Sequence, residues 1–265
     1  IDKTLMAIEK DFEHFAPDIL ISIGNAVISK MIKKHLRENP PEEHWQISST
    51  GIYRDTYQVL SHPVKDELIP FFREMETAKN NTSDYASNWK SSYDEVCRRH
   101  EQFFSELEFC DLKVFDDIIN SIDVGSELQI SNSSAIRYHQ LLSPKNINTY
   151  CNRGTSGIDG SSSTALGFSL KHEGETWLIS GDVSFLYDSN AWWNSYSSNL
   201  KIILINNGGG GIFRIIPGPQ NIPNFEKYFE TPHSIDFLHL CKALNIDYAK
   251  ANNEEEMKER LAEIK

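Results

Sequence analysis

The fold is decided by Thr176-Trp-Leu-Ile-Ser-Gly-Asp182 and by Lys201-Ile-Ile-Leu-Ile-Asn-Asn207. Each stretch is a short apolar run that ends in polar residues beside glycine, which is typical of a buried strand in a parallel sheet. The interval between the two leaves room for one helix, as a right-handed crossover requires. Asp182 and Asn207 are therefore predicted at the carboxyl ends of two strands, where both can face the same crevice.

Asp182 and Asn207 also suit a metal ion. A carboxylate oxygen, a carboxamide oxygen and a nearby glycine carbonyl are hard donors of the kind that Mg²⁺ prefers, and this ion completes its shell with water and phosphate oxygens. Either polar pair alone could simply form a turn after its strand. The two pairs together, followed by a glycine run, favour a site for magnesium and a phosphate group.

Strands and helices alternate from Glu127 onward. The predicted strands cover 127–131, 147–151, 176–180 and 201–205. The predicted helices cover 134–142, 160–170 and 187–197, and a last helix is expected after a cap at Asn253. This alternation predicts an α/β fold, a doubly wound parallel sheet with helices on both faces, over residues 126–265.

Residues 1–84 show a strand–helix–strand rhythm that predicts a smaller α/β middle domain. The predicted elements are a strand at 18–23, a helix at 29–36 and a strand at 45–48. The polar run 79–84 is the predicted linker.

Residues 85–125 are predicted as a helical connection, with helices at 85–108 and 114–122. The first helix has an apolar stripe that includes Trp89, Tyr93, Val96, His100, Phe103 and Leu107. On that stripe, His100 is interpreted as a packed histidine rather than as a ligand.

Composition excludes several classes of protein. A net charge of −12 argues against a nucleic-acid partner, which basic proteins bind by releasing counterions. We find no apolar run long enough to span a membrane and no secretory leader. The cysteines, which form no C-x-x-C motif, are interpreted as reduced thiols of a cytoplasmic protein: Cys97, Cys110, Cys151 and Cys241. The first residue is Ile1 rather than Met, and a doubly wound domain usually places one more strand after its last helix, so we expect the native chain to continue beyond both ends.

Four motif blocks carry a family resemblance. They are Asn132-Ser-Ser-Ala-Ile-Arg137, Asn152-Arg-Gly-Thr-Ser-Gly-Ile-Asp-Gly160, Gly181-Asp182 with Tyr187-Asp188, and Asn206-Asn207 with Gly211-Ile-Phe213. Together they resemble the thiamine-diphosphate enzymes and, among these, the SEPHCHC synthases of menaquinone biosynthesis, the MenD family. Before about residue 125 the resemblance rests on the order of elements and on Ile28-Ser29-Lys30.

The resemblance implies a transferase that uses thiamine diphosphate and Mg²⁺ or Mn²⁺. Its substrates would be 2-oxoglutarate, which loses CO₂, and isochorismate, which accepts the remaining carbanion by conjugate addition. The implied protein is cytoplasmic and self-associates as a homodimer or homotetramer. In the family the acid–base glutamate comes from a separate domain of a neighbouring subunit, and we do not find that domain in this sequence. We therefore expect this chain alone to be inactive and to bind cofactor weakly.

The resemblance also assigns roles to residues at the cofactor. The implied metal ligands are Asp182, Asn207 and the carbonyl of Gly209. The residues implied beside the diphosphate are Ser156, Gly157, Gly181 and Ser184, although Ser184 could instead cap a helix after the turn. Ile158 would support the bent cofactor, and Ile212 and Phe213 would form an apolar wall at the reacting carbon. Val183 stands where most of the superfamily has glycine, and the extra glycines after Asn207 leave open which carbonyl completes the metal shell.

The implied substrate-binding residues are Arg137, Arg153, Ser133 and Lys30. Both substrates carry two carboxylates, and guanidinium groups pair with carboxylates through two parallel hydrogen bonds. Two other classes of protein stay open: another thiamine-diphosphate decarboxylase or carboligase, and a non-catalytic module that kept the fold for oligomerisation or nucleotide binding. Retention of Asp182 and Asn207 argues against the second. A dinucleotide-binding fold is disfavoured because no G-x-G-x-x-G follows a first strand.

Overall fold

The computed structural model consists of two units, Ile1–Glu106 and Leu107–Lys265. It describes residues 1–24, 27–76, 83–142, 145–194, 199–216 and 218–264. Most of the predicted linker at 79–84 lies outside these described residues.

The first unit is built around a parallel sheet in the order β1-β2-β3, with strands β1 (Ile19–Ile23), β2 (Glu43–Ile47) and β3 (His62–Val64). Its helices are α1 (Asp2–Ile8), α2 (Lys30–Glu38), α3 (Leu68–Met75) and α4 (Tyr85–Glu106). The two predicted strands and the predicted helix of this unit are confirmed. Ser29 starts α2 because its Oγ accepts a hydrogen bond from the Ile32 amide at 3.0 Å.

Helix α4 confirms the long amphipathic helix, with two corrections to its buried stripe. Val96 is buried and His100 is half-buried beside Phe104, so burial lowers the pKa of His100 below its ordinary value. Phe103 and Tyr93, which we predicted on the buried stripe, are 51% and 37% exposed. The inward row runs through Val96, His100 and Phe104 at intervals of four, and this row turns Phe103 toward solvent.

The second unit contains a parallel sheet in the order β5-β4-β6-β7. Its strands are β4 (Glu127–Ile130), β5 (Asn148–Tyr150), β6 (Thr176–Gly181) and β7 (Leu200–Ile205). Trp177, Leu178 and Ile179 of β6 are completely buried, because β6 is an inner strand whose two faces are both covered. The four predicted strands and their parallel arrangement are thus confirmed.

The helices of this unit are α5 (Asp111–Ser121), α6 (Ser134–Leu141), α7 (Ser161–Ser169), α8 (Asp182–Tyr187), α9 (Ile212–Ile215), α10 (Phe237–Ala243) and α11 (Glu254–Ile264). Asn253 caps α11 as predicted, since its Oδ1 accepts from the Glu256 amide at 2.9 Å. No helix in the described parts of the chain combines the length and apolar character needed to cross a membrane. All four cysteines are free thiols, as predicted.

The helix predicted at 187–197 is wrong. Helix α8 starts directly at Asp182 and ends at Tyr187, and a 3₁₀ turn follows at Ser189–Trp192. Helix α8 ends at Tyr187 because the next residue, Asp188, is buried and bonds to another helix. The Asp188 carboxylate accepts from both the amide and the hydroxyl of Ser163, each at 2.6 Å. Residues 195–198 lie outside the described part of the chain.

Candidate functional site

The strand order of the second unit creates a crevice between β4 and β6. The chain passes from β4 to β5 on one side and then returns to place β6 on the other side. Ligands of open α/β sheets bind beyond the carboxyl ends of the strands at such a switch point. Here the Gly181 amide donates to Ser131 Oγ at 3.3 Å, which joins the ends of β4 and β6.

Asp182 is the central charged residue at this edge, with only 2% of its surface exposed. Its Oδ2 accepts from the amides of Gly208 at 2.7 Å and Gly209 at 3.0 Å, while Oδ1 accepts from Val183 N at 2.7 Å. The carboxylate therefore ties the glycine run after β7 to the end of β6. Because an ionised carboxylate offers about four lone-pair positions, Oδ1 retains capacity for a further partner.

Asn207 lies on the same sheet edge, because Gly181 and Ile205 are register partners at the ends of β6 and β7. Its side chain is exposed, and Nδ2 donates to Asp111 Oδ2 at 2.9 Å. The structure thus brings together the strand ends that carry the two predicted metal ligands. The carbonyl of Gly209, the third predicted ligand, accepts from the Gly211 amide at 3.0 Å.

Two acid–base groups near these residues were missed by sequence reasoning. His233 Nε2 lies 3.1 Å from Asp182 Oδ2, and its ring stands edge-on to Phe237. Asp111 reaches Asn207 from the start of α5. Neither residue belongs to a recognisable motif, and both lie far along the chain from the residue that they contact, so only the fold could reveal them.

Gly209 can only be glycine at its position. Its φ is +154°, and a Cβ there would lie 2.7 Å from the carbonyl oxygen of Glu230. We expect Gly209→Ala to lower the free energy of unfolding by roughly 2 kcal/mol, since both strain and overpacking carry costs of that size. Gly211→Ala is the matched control, because a Cβ at Gly211 would have only an ordinary contact at 3.8 Å. Urea unfolding of both variants checks this, and equal midpoints would contradict it.

The loop after β5 is held to the end of β4 by the buried Asn132. Its Nδ2 donates to the carbonyls of Asn152 at 2.7 Å and Gly157 at 2.6 Å. Its Oδ1 accepts from Arg153 Nη1 at 2.7 Å and from the Cys151 thiol at 3.3 Å. Burial raises the pKa of Cys151 to about 11, so this thiol stays neutral and acts as a donor.

Arg153, predicted to bind substrate, has a buried donor, Nε, that makes no hydrogen bond to the described residues. A buried donor without a partner is costly, and an anionic ligand bound beside it would remove that cost. Arg137 is half-buried on α6, and Lys30 is exposed at the start of α2 in the first unit.

The predicted cofactor loop also contacts α8. Ser184 Oγ donates to the carbonyl of Ile158 at 2.6 Å, so Ser184 joins the β5 loop to the helix that begins at Asp182. Ser156 and the predicted substrate residue Ser133 both have positive φ, at 64° and 74°. Such values are uncommon for residues other than glycine, and strained residues of this kind cluster at functional sites.

The remaining predicted residues, Ile212 and Phe213, lie in α9, directly after the glycine run. Ile212 is buried, and Phe213 is half-buried with its ring edge-on to Phe229 at 5.5 Å between centroids. An open cavity of about 360 Å³ runs along the β5 loop, and it is lined by Asn152, Gly154, Thr155, Gly157 and Asp159. The arrangement therefore offers an open, polar recess at the edge where the strand ends meet.

These residues fit a divalent cation with a diphosphate group. The predicted donor set consists of the buried Asp182 carboxylate, the Asn207 carboxamide and the Gly209 carbonyl, which are hard oxygen ligands. Gly209 allows the close backbone approach seen against Glu230, where a Cβ would lie 2.7 Å from the carbonyl oxygen. The unpaired Nε of Arg153 adds a donor for an anionic group.

Comparison with known proteins agrees with this geometry. Residues 131–265 match the family model of the thiamine pyrophosphate enzyme, C-terminal TPP binding domain. This range starts at Ser131, directly after β4, and it contains the carboxyl ends of β5, β6 and β7.

Several curated relatives are named 2-succinyl-5-enolpyruvyl-6-hydroxy-3-cyclohexene-1-carboxylate synthase. The relative from Flavobacterium johnsoniae is 46% identical over 96% of this chain, and that from Christiangramia forsetii is 46% identical over 97%. The relative from Porphyromonas gingivalis is 37% identical over 97%. In each case the match covers 46% of the relative, so the chain spans about half the length of these proteins. The chain belongs to the family of thiamine pyrophosphate enzymes.

Proposed function

We propose that this chain forms the diphosphate- and cation-binding part of an SEPHCHC synthase, a transferase of menaquinone biosynthesis. The observation that carries the proposal is the buried Asp182, which joins two strand ends at the switch point and keeps a free lone-pair position. Support also comes from the relatives of that name, which match nearly the whole chain. We use "full-length enzyme" for this chain together with the remaining sequence that its relatives possess.

The cofactor would be held by residues from three strand ends. Asp182, Asn207 and a glycine carbonyl, that of Gly209 in our proposal, would bind Mg²⁺ or Mn²⁺. The residues proposed beside the diphosphate are Ser156, Gly157, Gly181 and Ser184. When bound, thiamine diphosphate supplies the nucleophilic carbon and stabilises the carbanion left when a 2-oxo acid loses CO₂. Ile158, Ile212 and Phe213 would position the cofactor and exclude water from that carbon.

The substrates would be 2-oxoglutarate and isochorismate. Arg153 and Arg137 would pair with their carboxylates, with Ser133 as an additional donor. Lys30, a residue of the first unit, stays a sequence-based prediction. Because the whole chain has a net charge of −12, these local cations would have to attract the anionic substrates. We also propose a cytoplasmic location and self-association of the full-length enzyme.

The test is a product assay with purified full-length enzyme, thiamine diphosphate and Mg²⁺. We expect SEPHCHC when 2-oxoglutarate and isochorismate are both supplied, and none from this chain alone, since the acid–base glutamate implied by the family lies in a separate domain. Product from 2-oxoglutarate without use of isochorismate would favour a different thiamine-diphosphate decarboxylase or carboligase. Failure of the full-length enzyme to bind the cofactor would favour a non-catalytic module.

A further inference from the structure

Asp111 contacts the predicted metal ligand Asn207 but has no role in the proposed chemistry. It is the first residue of α5, and its Oδ2 accepts from Asn207 Nδ2 at 2.9 Å across 96 positions of sequence. Helix α5 is anchored independently of this contact, because Phe115, Ile118 and Ile119 are buried on its inner side. The position of the Asp111 backbone is therefore fixed by the core and not by the hydrogen bond.

The contact determines which way the Asn207 amide points. Rotation about the terminal bond of an asparagine side chain is broad and roughly two-fold, so the oxygen and nitrogen can exchange places at little cost. An ionised carboxylate only accepts hydrogen bonds, and it therefore requires the nitrogen to face it. With Nδ2 held by Asp111, the amide oxygen Oδ1 is the atom left for a cation. The opposite orientation would present two N–H donors to the ion.

Two features make this orientation matter. The Asn207 side chain is exposed, so its surroundings restrain it little. Asp182, in contrast, is held in place by three backbone amides. Both oxygens of its carboxylate are acceptors, so rotation of the group does not change what it offers to a cation. Asn207 is thus the ligand whose geometry depends on a second residue, and partners of this kind commonly change metal affinity 10–100-fold.

We propose that Asp111 is a positioning residue for the divalent-cation site, which holds the Asn207 amide so that Oδ1 faces the ion. This inference rests on the proposed function, because the ion is the one that would accompany thiamine diphosphate. Asp111 acts through Asn207 and touches neither cofactor nor substrate in this role.

The experiment measures the dissociation constant for Mn²⁺ in the full-length enzyme with saturating thiamine diphosphate, from the electron paramagnetic resonance signal of free Mn²⁺. We expect Asp111→Ala to weaken Mn²⁺ binding by about tenfold or more. Asp111→Asn should weaken Mn²⁺ binding less than Asp111→Ala does, by only about threefold, because its side-chain oxygen can accept from Nδ2 in one of the two orientations of the new amide. Asp116→Ala is the matched control: Asp116 lies on the same helix and accepts from the Asn120 amide at 3.1 Å.

Each outcome separates the inference from the proposed function. Wild-type affinity in Asp111→Ala would overturn the positioning role while leaving the cation site intact. Equal losses in Asp111→Ala and Asp111→Asn would assign the effect to charge and would also overturn it. A loss in Asp116→Ala as large as that in Asp111→Ala would indicate a general effect of α5 and would overturn it too. No Mn²⁺ binding to the wild type with cofactor would overturn both the inference and the proposed function.

Discussion

Asp182→Ala is expected to abolish the Mg²⁺-dependent binding of thiamine diphosphate to the full-length enzyme. The substitution removes the only charged residue among the three proposed cation ligands. It also leaves the amides of Gly208 and Gly209 without the acceptor that now holds them. An unsatisfied buried donor costs about 1–3 kcal/mol, so the glycine run would also lose its place. Calorimetric titration with and without Mg²⁺ should show affinity lower by at least about 100-fold, beyond the usual cost of an outer-shell change.

Asp182→Asn removes the negative charge but keeps one side-chain oxygen that can accept from the loop amides. Its remaining oxygen can still accept from a glycine amide, so thermal unfolding should stay closer to wild type than in Asp182→Ala, while Mg²⁺-dependent binding still falls. Asp247→Ala replaces an exposed aspartate of the same unit and serves as the control. If Asp182→Ala bound cofactor with unchanged affinity and unchanged Mg²⁺ dependence, the assignment of the metal site would be wrong.

Arg153→Ala is expected to lower kcat/KM for 2-oxoglutarate by about 100-fold or more, the usual cost of removing one preorganised donor from an active site. The guanidinium is fixed by Asn132 through Nη1 at 2.7 Å, while Nε stays buried without a partner among the described residues. A side chain held in this way has already lost its rotamer freedom and is ready to pair with a carboxylate. Steady-state kinetics of the full-length enzyme measure the effect.

Arg153→Lys should recover little of the lost activity, because an ammonium group keeps the charge but not the planar fork of donors. Arg260→Ala is the control, since Arg260 is an exposed residue of α11 that pairs with Glu263 at 2.5 Å. Asn132 should keep its place in Arg153→Ala, because its Oδ1 still accepts from Cys151. A kcat/KM within about threefold of wild type would remove Arg153 from the substrate site.

The sheet of the second unit could be predicted because each of its strands has a recognisable local sequence pattern. Trp177, Leu178 and Ile179 form a continuous apolar run, which is expected only where both faces of a strand are covered. The glycine and polar residues after such runs mark the strand ends, so Asp182 and Asn207 could be located before the fold was known. Their roles at a cation, like those of the other site residues, stay predictions.

Features that depend on contacts between distant segments could not be predicted. Asp188 ends α8 because it binds Ser163 on another helix, and nothing in the local sequence indicates that partner. Asp111 has the appearance of an ordinary acidic residue in a first helical turn, where such residues are favoured by the helix dipole. Asn132 lay within a recognised motif, but its four contacts follow from the position of the β5 loop.

The hydrogen bonds that join the strand ends have a consequence for the order of folding. Asn132 contacts partners 20 and 25 positions away, and Ser184 and Asp182 contact partners 26 positions away. Closing loops of this length costs conformational entropy, and the contacts offset that cost only after the loop has closed. The recess therefore assembles only when the strands have come together, and a ligand that needs all of them recognises the native state alone. Such a ligand stabilises the folded protein by mass action and does not stabilise the states that form earliest in folding.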